Sequence, residues 1–252
     1  MQGDAESLLT ALGRHAPGLP IWRGSLLVRC APCDEVIAFE PFYDVYDAAV
    51  TLAGAKLVPV RLDVTKPDEI AQAASQCSDV NLLINNAGVM HSSPMLAEGS
   101  ETAMRAEMEV NVFGVLGMTR AFAPILKRNG GGAVVNVLSV VSWFTLPINA
   151  TYCASKHAAL AVTEGARIEL KQQGTRVLGV HAGYIDTDMT AGLTQPKTSP
   201  QQVAERTLEA LHSGNDLVLA DDRAHHVWQA TRSDPIGFAD GMQKLWDERQ
   251  PK

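Results

Sequence analysis

From Glu35 onward, short apolar runs alternate with longer amphipathic segments. Runs that are apolar on nearly every residue are typical of strands buried on both faces, and the longer periodic segments are typical of helices. The runs are EVIAFE, KLVPVRLDV, VNLLINNAG, GGAVVNVLSV and TRVLGVHAG, with DLVLAD near the end. This alternation predicts a doubly wound, Rossmann-like α/β fold, with a parallel sheet covered by helices on both faces.

The helices expected between these strands are YDVYDAAVTLAGA, DEIAQAASQC, residues 101–128, residues 153–173 and PQQVAERTLEALHSG. GFADGMQKLWDER forms a final amphipathic segment. No linker, change of composition or repeat period separates a second domain. We therefore expect a single domain over residues 1–252, with a regular core at 55–252 and an atypical N-terminal part at 1–54.

Composition excludes several classes of protein. Of 252 residues, 46% are apolar and 19% charged, which is enough apolar material for a substantial core. The net charge of −7 argues against nucleic acid as a partner, because nucleic-acid-binding proteins carry a basic face. No apolar run approaches a membrane span, and the acidic start MQGDAESLLTALGRH lacks the basic-then-apolar pattern of a secretion signal. We expect a cytoplasmic protein without membrane association.

The cysteines and histidines predict no metal site. Cys30 and Cys33 form a CxxC, but Cys77 and Cys153 lack the spacing that a zinc site needs. A redox pair normally opens a helix, whereas an apparent strand follows this one. The favoured interpretation is two ordinary thiols.

Residues 139–156, SVVSWFTLPINATYCASK, carry the chemistry. Tyr152 and Lys156 stand at i and i+4 and therefore share one helix face. A lysine ammonium there can stabilise a phenolate and lower a phenol pKa that starts near 10. Such a phenol suits a proton donor and acceptor at a carbonyl oxygen.

Polar residues also follow several predicted strands at their carboxyl ends, where parallel sheets bind ligands. These are Asp63, Asn85, Asn86, Ser139 and the turn at Ala182 and Gly183.

Five motifs together resemble the short-chain dehydrogenase/reductase family over roughly residues 55–250. They are the NNAG at 85–88, Asn111 in NVFG, Ser139 after VVNVL, the YxxxK at 152–156, and a degenerate AGYIDT at 182–187 where the family has PGxVxT. A lone YxxxK is a weak signal, because any long helix can contain it by chance. With NNAG and the serine at this spacing it is strong.

The resemblance implies an NAD- or NADP-dependent oxidoreductase that interconverts a small-molecule alcohol and a carbonyl. Tyr152 exchanges a proton with the substrate oxygen, which Ser139 orients by a hydrogen bond. Lys156 lowers the pKa of the tyrosine and binds the nicotinamide ribose. Asn111 holds a water that completes the proton relay. Hydride passes to or from the nicotinamide.

The remaining implied contacts to the cofactor lie on three turns. Asp63 accepts from the adenine amino group with the Val64 backbone beside it, Asn86, Ala87 and Gly88 line the adenosine ribose, and Ile185 and Thr187 meet the nicotinamide carboxamide and phosphate. Structural alternatives stay open for some of these residues. Tyr152 and Lys156 could be an ordinary helix pair, Asp63 could cap the following helix, and Ser139 could cap a turn.

The N-terminal part departs from the family pattern. The family opens with a strand, a glycine-rich TGxxxGxG loop and a helix, which together cradle the pyrophosphate. Residues 13–24, GRHAPGLPIWRG, follow no strand and enter no helix. Instead, residues of about 24–60 resemble a fragment of a fold-type I aminotransferase, from which we infer no transamination. A fusion, a gene-model error or a chimera would each explain this segment. The first βαβ unit is therefore expected to be defective or rebuilt.

Two interpretations of EVIAFE are possible. It is either the family's second strand, with Glu40 at the adenosine ribose, or its first strand, with EPFYD in place of the phosphate loop. The order of the following helix and strand favours the first. An acidic loop beside the pyrophosphate would repel it.

An alternative function is a catalytically idle scaffold or oligomer that has lost nucleotide binding with the glycine-rich loop. Under either function a homodimer or homotetramer is expected, since helices 101–128 and 153–173 are apolar around much of their circumference. A hydrophobic substrate pocket is expected beyond the serine, formed by Trp143, Phe144, Leu146, Met189 and Leu193.

Overall fold

A computed structural model describes residues 35–40 and 56–249. Its strands are β1 (Glu35–Glu40), β2 (Lys56–Arg61), β3 (Leu82–Asn85), β4 (Ala133–Val137), β5 (Arg176–His181) and β6 (Leu217–Leu219). Its α-helices are α1 (Pro67–Gln76), α2 (Ser100–Met108), α3 (Val115–Arg128), α4 (Ala150–Leu170), α5 (Pro200–Ser213), α6 (Asp222–Ser233) and α7 (Pro235–Asp247). A π-helix, Glu109–Gly114, joins α2 to α3.

Strands β3 to β6 form one parallel sheet in the order β3-β4-β5-β6. Successive residues of a strand point to opposite faces. On one face Leu83, Val134 and Val177 pack with Met118, Phe122 and Ile70 from α3 and α1. On the other face Val135, Leu178 and Val180 pack with Val203 and Ala204 of α5. Helices on both faces of a parallel sheet confirm the predicted doubly wound α/β architecture.

β1 and β2 pair in parallel, with Glu35 opposite Lys56. In the strand order 3-2-1-4-5-6 of many doubly wound sheets, the first strand lies between the second and the fourth. Among the described strands, β1 pairs with β2 and not with β3. This pairing is compatible with EVIAFE as the second strand, an interpretation that stays a prediction. SLLVRC, EPFYD, the CxxC pair and the helix YDVYDAAVTLAGA lie outside the described residues.

A buried line of polar side chains crosses the sheet beneath the helices. The amide nitrogen of Asn85 donates to Asn136 Oδ1 at 2.8 Å and to Thr119 Oγ1 at 3.3 Å. Asn136 Nδ2 in turn donates to Thr163 Oγ1 at 2.9 Å. Because buried polar groups need partners, these bonds fix α3 and α4 against the carboxyl ends of β3 and β4. Asn85 therefore acts inside the fold rather than at its surface.

Two helical predictions needed correction. Residues 101–128 were expected to be one long helix, but the π-helix interrupts it at Asn111. Helix α6 was missed because only Ala224 and Val227 of its residues are buried, so its apolar periodicity is weak. The available signal was Asp221, whose carboxylate accepts from the Ala224 N–H at 2.7 Å and caps the helix.

No helix in the described part of the chain is long and apolar enough to cross a membrane.

Candidate active site

Ser139 lies where β4 ends, with an extended backbone (φ −156°) that caps the short 3₁₀ turn Val140–Ser142. Its hydroxyl accepts from the Val141 N–H at 3.4 Å and donates to the Ala182 carbonyl at 3.5 Å. Its own carbonyl is 3.2 Å from Nδ1 of the buried His181. The serine therefore caps a turn, as one alternative proposed, and it also joins the ends of β4 and β5.

Tyr152 lies in the first turn of α4 and packs against the buried cluster that includes Val140, Val141 and Cys153. The surrounding protein withdraws the phenol from water, which raises its pKa above the ordinary value. Electrostatic repulsion from Cys153 and Glu107 raises this pKa further, while the nearby Ser139 side chain lowers it. The phenol is therefore protonated at neutral pH and stands ready to donate.

Lys156 is 6% exposed, and its ammonium donates to the Val137 carbonyl at 3.0 Å. Burial lowers its pKa to about 8, so most of the lysine remains charged at pH 7. The ammonium lies 5.7 Å from the centre of the Tyr152 ring. Burial raises the pKa of Tyr152 in this structure. The lowering of that pKa by Lys156 stays a prediction.

Asn111 is buried within the π-helix, and its side chain forms two hydrogen bonds with the backbone of Val89. Its Oδ1 accepts from the Val89 N–H at 2.9 Å, and its Nδ2 donates to the Val89 carbonyl at 2.9 Å. The second amide hydrogen goes to Ser155 Oγ at 2.9 Å. Both amide hydrogens are thus used within the protein. The role of Asn111 in holding a water stays a prediction.

Glu107, which the sequence reading missed, lies one helical turn before Asn111 and is 0% exposed. Its Oε1 accepts from the backbone N–H of His91 at 2.7 Å and of Ser92 at 3.4 Å. Positions 107 and 111 are i and i+4, so one helix face holds the chain that follows the NNAG turn. The available signal was this i, i+4 spacing, which places an acidic residue on the same helix face as the predicted site residue Asn111.

The NNAG turn brings Gly88 close to the catalytic candidates. A methyl group added at Gly88 would lie 3.3 Å from Asn111 Oδ1 and 3.8 Å from Lys156 Nζ. Glycine thus avoids a crowded contact with Asn111 Oδ1. The lysine ammonium carries three hydrogens, of which one goes to Val137. An ammonium with further hydrogens beside this turn fits the ribose end of a nicotinamide dinucleotide.

Asp63 and Val64 follow β2. The Asp63 carboxylate accepts from the N–H and hydroxyl of Thr65 at 2.9 and 2.8 Å. The Thr65 backbone bond is the main reason for the lowered pKa of this exposed carboxyl. Asp63 forms a local turn with Thr65 and does not cap α1, whose N-cap is Lys66 without a side-chain hydrogen bond. The exposed carboxylate stays accessible to a ligand. Val64 contacts the π-helix at Gly114, where an added methyl would come within 2.9 Å of Val64 Cγ2.

Ile185 and Thr187 lie at the start of the segment 185–198, whose two ends contact each other. Ile185 forms an isolated parallel bridge with Thr198, and Lys197 lies 3.4 Å from the Asp186 carboxylate. The Thr187 hydroxyl donates to the Ile185 carbonyl at 3.4 Å. The turn before them is fixed by buried Asp221, whose Oδ2 accepts from the Gly183 N–H at 2.7 Å.

An apolar cavity of about 810 Å³ opens between the loop 94–97, the loop after Ser139 and helix α7. Its walls include Met95, Trp143, Phe144, Phe238, Met242 and Trp246. The rings of Phe144 and Phe238 meet edge to face, with centroids 5.0 Å apart. Of the predicted pocket residues, Trp143 and Phe144 line this cavity.

Three of the predicted pocket residues do not line the cavity. Leu146 packs against the buried cluster around Cys153, and Met189 and Leu193 lie on an exposed segment. The α7 wall was not predicted, although Phe238, Met242 and Trp246 recur every fourth residue and mark one helix face. In the described ranges, no cluster of three or more His, Cys, Asp or Glu residues is arranged to hold a metal ion.

Comparison with known proteins identifies the family. A family model for short chain dehydrogenases matches residues 40–198. The chain is 34% identical over 231 residues to dehydrogenase/reductase SDR family member 7B of Bos taurus, covering 84% of this chain and 71% of that protein. It is 33% identical over 195 residues to the 1-deoxy-11-beta-hydroxypentalenate dehydrogenase of Streptomyces exfoliatus, covering 74% of this chain and 66% of that one.

A solved structure gives the same answer. The fold superposes on a short chain dehydrogenase from Burkholderia cenocepacia J2315, solved in complex with NADP, with a TM-score of 0.77 and 38% sequence identity. The match covers 87% of this chain and 92% of that one. The chain therefore belongs to the short-chain dehydrogenase family, a family of oxidoreductases.

Proposed function

We propose that this protein interconverts an alcohol and a carbonyl with NAD or NADP, through Asn111, Ser139, Tyr152 and Lys156. The observation that carries the proposal is that the Ser139 side chain lies near enough to Tyr152 to lower the pKa of its phenol, next to residues that line an apolar cavity. Loop residues that follow Ser139 line this cavity, as does Ala150 just before Tyr152. A carbonyl oxygen placed between the two hydroxyls would receive hydrogen bonds from both.

The residues of the chain divide the work. Ser139 orients the substrate oxygen, and Tyr152, protonated at neutral pH, gives its proton to that oxygen as the carbonyl is reduced. The Val137 carbonyl holds the Lys156 ammonium, whose other hydrogens bind the ribose hydroxyls. The positive charge of this ammonium stabilises the phenolate that remains after Tyr152 has given up its proton. A bound nicotinamide dinucleotide supplies the hydride. In the oxidative direction the same groups act in reverse.

The remaining cofactor contacts follow from the turns at the strand ends. We assign Asp63 and Val64 to the adenine, Asn86, Ala87 and Gly88 to the adenosine ribose, and Ile185 and Thr187 to the nicotinamide side. The close approach of the Gly88 backbone to Asn111 and Lys156 supports a place for the NNAG turn beside the cofactor. The NADP in the structurally similar Burkholderia enzyme supports NADP as one cofactor.

The substrate is a small molecule with a bulky apolar body. The cavity walls are aromatic and aliphatic side chains with few polar groups, and its volume of about 810 Å³ lies in the upper part of the range of ligand pockets. Burial of apolar area contributes roughly 25 cal/mol per Å², so an apolar ketone gains affinity that a small polar one does not.

Replacing Tyr152 with phenylalanine tests the mechanism. Tyr152→Phe keeps the aromatic ring and loses the proton, so NADPH-linked reduction of acetophenone should fall at least ~100-fold, a typical contribution of acid–base catalysis. NADPH binding, followed by tryptophan fluorescence, shows in the same sample that the cofactor site is intact. Unchanged turnover in this variant would remove the proposed mechanism.

The idle scaffold remains the second candidate, since the sequence lacks the family's glycine-rich loop. Titration with NADH and NADPH separates the two candidates, with Trp143 as a reporter in the cavity wall. Saturable binding tighter than ~1 mM, or about −4 kcal/mol, supports the enzyme and excludes the scaffold.

We also propose a homodimer or homotetramer. Phe113 and Ile168 are exposed on the helical faces of residues 101–128 and 153–173, at 53% and 76%. Large exposed side chains on helices are often covered by a second copy of the chain. Light scattering tests this assembly, and a particle of 27.0 kDa contradicts it.

A further inference from the structure

The loop 89–93 is held at three points between the NNAG turn and the cavity wall. Asn111 binds the backbone of Val89 at its start. Glu107 binds the N–H groups of His91 and Ser92 in its middle. At its end Ser93 and Thr151 bond to each other, with the Thr151 N–H donating to the Ser93 carbonyl at 3.2 Å. The next residues, 94–97, form one wall of the cavity.

The middle of the loop differs from its two ends because the group that holds it, Glu107, is a buried carboxylate. Ser92 has a positive φ of 57°, which turns its N–H and that of His91 toward a single oxygen of Glu107. Consecutive N–H groups arranged in this way form a concavity that binds anions. A positive φ is unfavourable for a serine, so this conformation depends on an acceptor that holds it.

The second carboxylate oxygen of Glu107 has no hydrogen-bond partner, although the side chain is fully buried. Among the described ion pairs none includes Glu107. A buried carboxylate with only two donors to one oxygen is costly. A side chain placed only for packing would not need that charge. Its position is explained by the two N–H groups that it holds.

We propose that Glu107 is a positioning residue, whose buried carboxylate fixes the loop 89–93 and thereby sets the cavity wall at 94–97 relative to the NNAG turn. It acts through the loop backbone and does not contact the substrate. The spacing between the cofactor turn and the substrate wall then depends on this one side chain. Loss of its oxygen should loosen the wall and weaken the binding of a substrate that packs against it.

Two substitutions at Glu107 separate the accepting oxygen from the charge. Glu107→Gln keeps an oxygen for the two N–H groups, whereas Glu107→Ala removes it. Loss of a hydrogen bond to a charged group should raise amide hydrogen exchange at 91–92 about 10- to 100-fold in Glu107→Ala. Strand β4 should stay protected. In Glu107→Gln the loop should exchange within about 3-fold of the parent.

A matched control is Glu101→Gln on the same helix. Glu101 is exposed and pairs with Arg105 at 2.7 Å, and such surface pairs contribute little. This variant should leave the loop and the kinetics unchanged. Hydrogen exchange needs neither cofactor nor turnover, so its result stands even if the proposed function fails.

The kinetic readout rests on the proposed function. For NADPH-linked reduction of acetophenone, Glu107→Ala should raise KM about 10-fold with kcat within about 3-fold, because a loosened wall affects binding more than chemistry. Glu107→Gln should restore KM. Because the charge of Glu107 raises the pKa of Tyr152, Glu107→Gln should also lower this pKa.

The groups that face the Tyr152 phenol include Cys153 and Lys156 on its own helix, Glu107 from α2 and the Ser139 hydroxyl from the end of β4. Only Glu107 changes in this comparison. The proposal is overturned if Glu107→Ala leaves exchange at 91–92 and KM at parent values, or if Glu107→Gln loosens the loop as much as alanine does. If Glu107→Ala does not fold, loop exchange in Glu107→Gln still decides between these outcomes.

Discussion

The proposed acid–base half of the site and its proposed adenosine half are built in opposite ways. Lys156, Asn111 and Ser139 are buried, and each hydrogen-bonds to residues distant in sequence. Asp63 is exposed, and its carboxylate bonds only two positions along the chain, to Thr65. In the acid–base half, burial lowers the pKa of Lys156. In the adenosine half, a local hydrogen bond from Thr65 lowers the pKa of Asp63.

Because of this difference, substitutions in the two halves should have different effects. A buried charge is held against its desolvation cost by the surrounding protein, so a change there alters folding, protonation and chemistry together. An exposed carboxylate in a local turn remains hydrated, so a change there should act on one property at a time. Three substitutions test this contrast, from the largest expected effect to the smallest.

Lys156 should give the largest effect, seen in the pH dependence of stability. Its pKa is lowered from 10.5 to about 8 by burial, so the folded state binds fewer protons than the unfolded state between these values. The penalty for burying the charge is complete below pH 8 and is relieved as the pH rises toward 10.5. The parent protein should therefore gain about 3 kcal/mol over this window relative to Lys156→Met.

Urea unfolding of both proteins at several pH values from 6 to 10.5 measures this gain. The difference in the free energy of unfolding should be constant below pH 7 and should rise above pH 8. A difference that stays constant over the whole range would mean that the lysine keeps its ordinary pKa, and the contrast between the two halves would then be lost.

Gly88 lies where the two halves meet, and its replacement should have an intermediate effect. In Gly88→Ala the new methyl would lie 3.3 Å from Asn111 Oδ1 and 3.8 Å from Lys156 Nζ. We expect NADPH to bind about 10-fold more weakly, or ~1.4 kcal/mol, because the methyl occupies space in front of the ammonium.

Gly165→Ala is the matched control, because a methyl there meets no atom within 4 Å and lies inside α4. Alanine in a helix interior stabilises by roughly 1 kcal/mol relative to glycine. NADPH affinity should stay at the parent value in this control. Equal affinities in Gly88→Ala and Gly165→Ala would show that the turn does not approach the cofactor.

The sequence predicted the part of the site that depends on local spacing. Ser139 at a strand end, and Tyr152 and Lys156 one helical turn apart, follow from apolar runs and the helical repeat. The structure brings the three together as that spacing implies, although burial reverses the expected direction of the Tyr152 pKa shift.

The rest depends on contacts that join distant segments. Glu107 acts through an N–H pair 15 and 16 residues away in sequence, which no spacing rule contains. The cavity wall on α7 meets the loop after Ser139 only in the folded chain, through Phe144 and Phe238. The π-helix at Asn111 has a helical composition like its neighbours, so the extra residue in its turn left no mark in the apolar pattern.

Asp63 should give the smallest effect, and its two assigned roles make opposite demands. Asp63→Ala removes both the turn contacts and an acceptor for the adenine amino group, whereas Thr65→Val removes the Thr65 hydroxyl bond and leaves the carboxylate in place. If the carboxylate meets the adenine, Asp63→Ala should weaken NADPH binding about 3-fold, the value of a solvent-exposed hydrogen bond, and Thr65→Val should not. If the carboxylate only holds the turn, both variants should lower the melting temperature and leave the dissociation constant unchanged. Fluorescence titration beside thermal unfolding, on the same two variants, therefore decides whether the exposed half of the site binds the cofactor or only shapes the chain after β2.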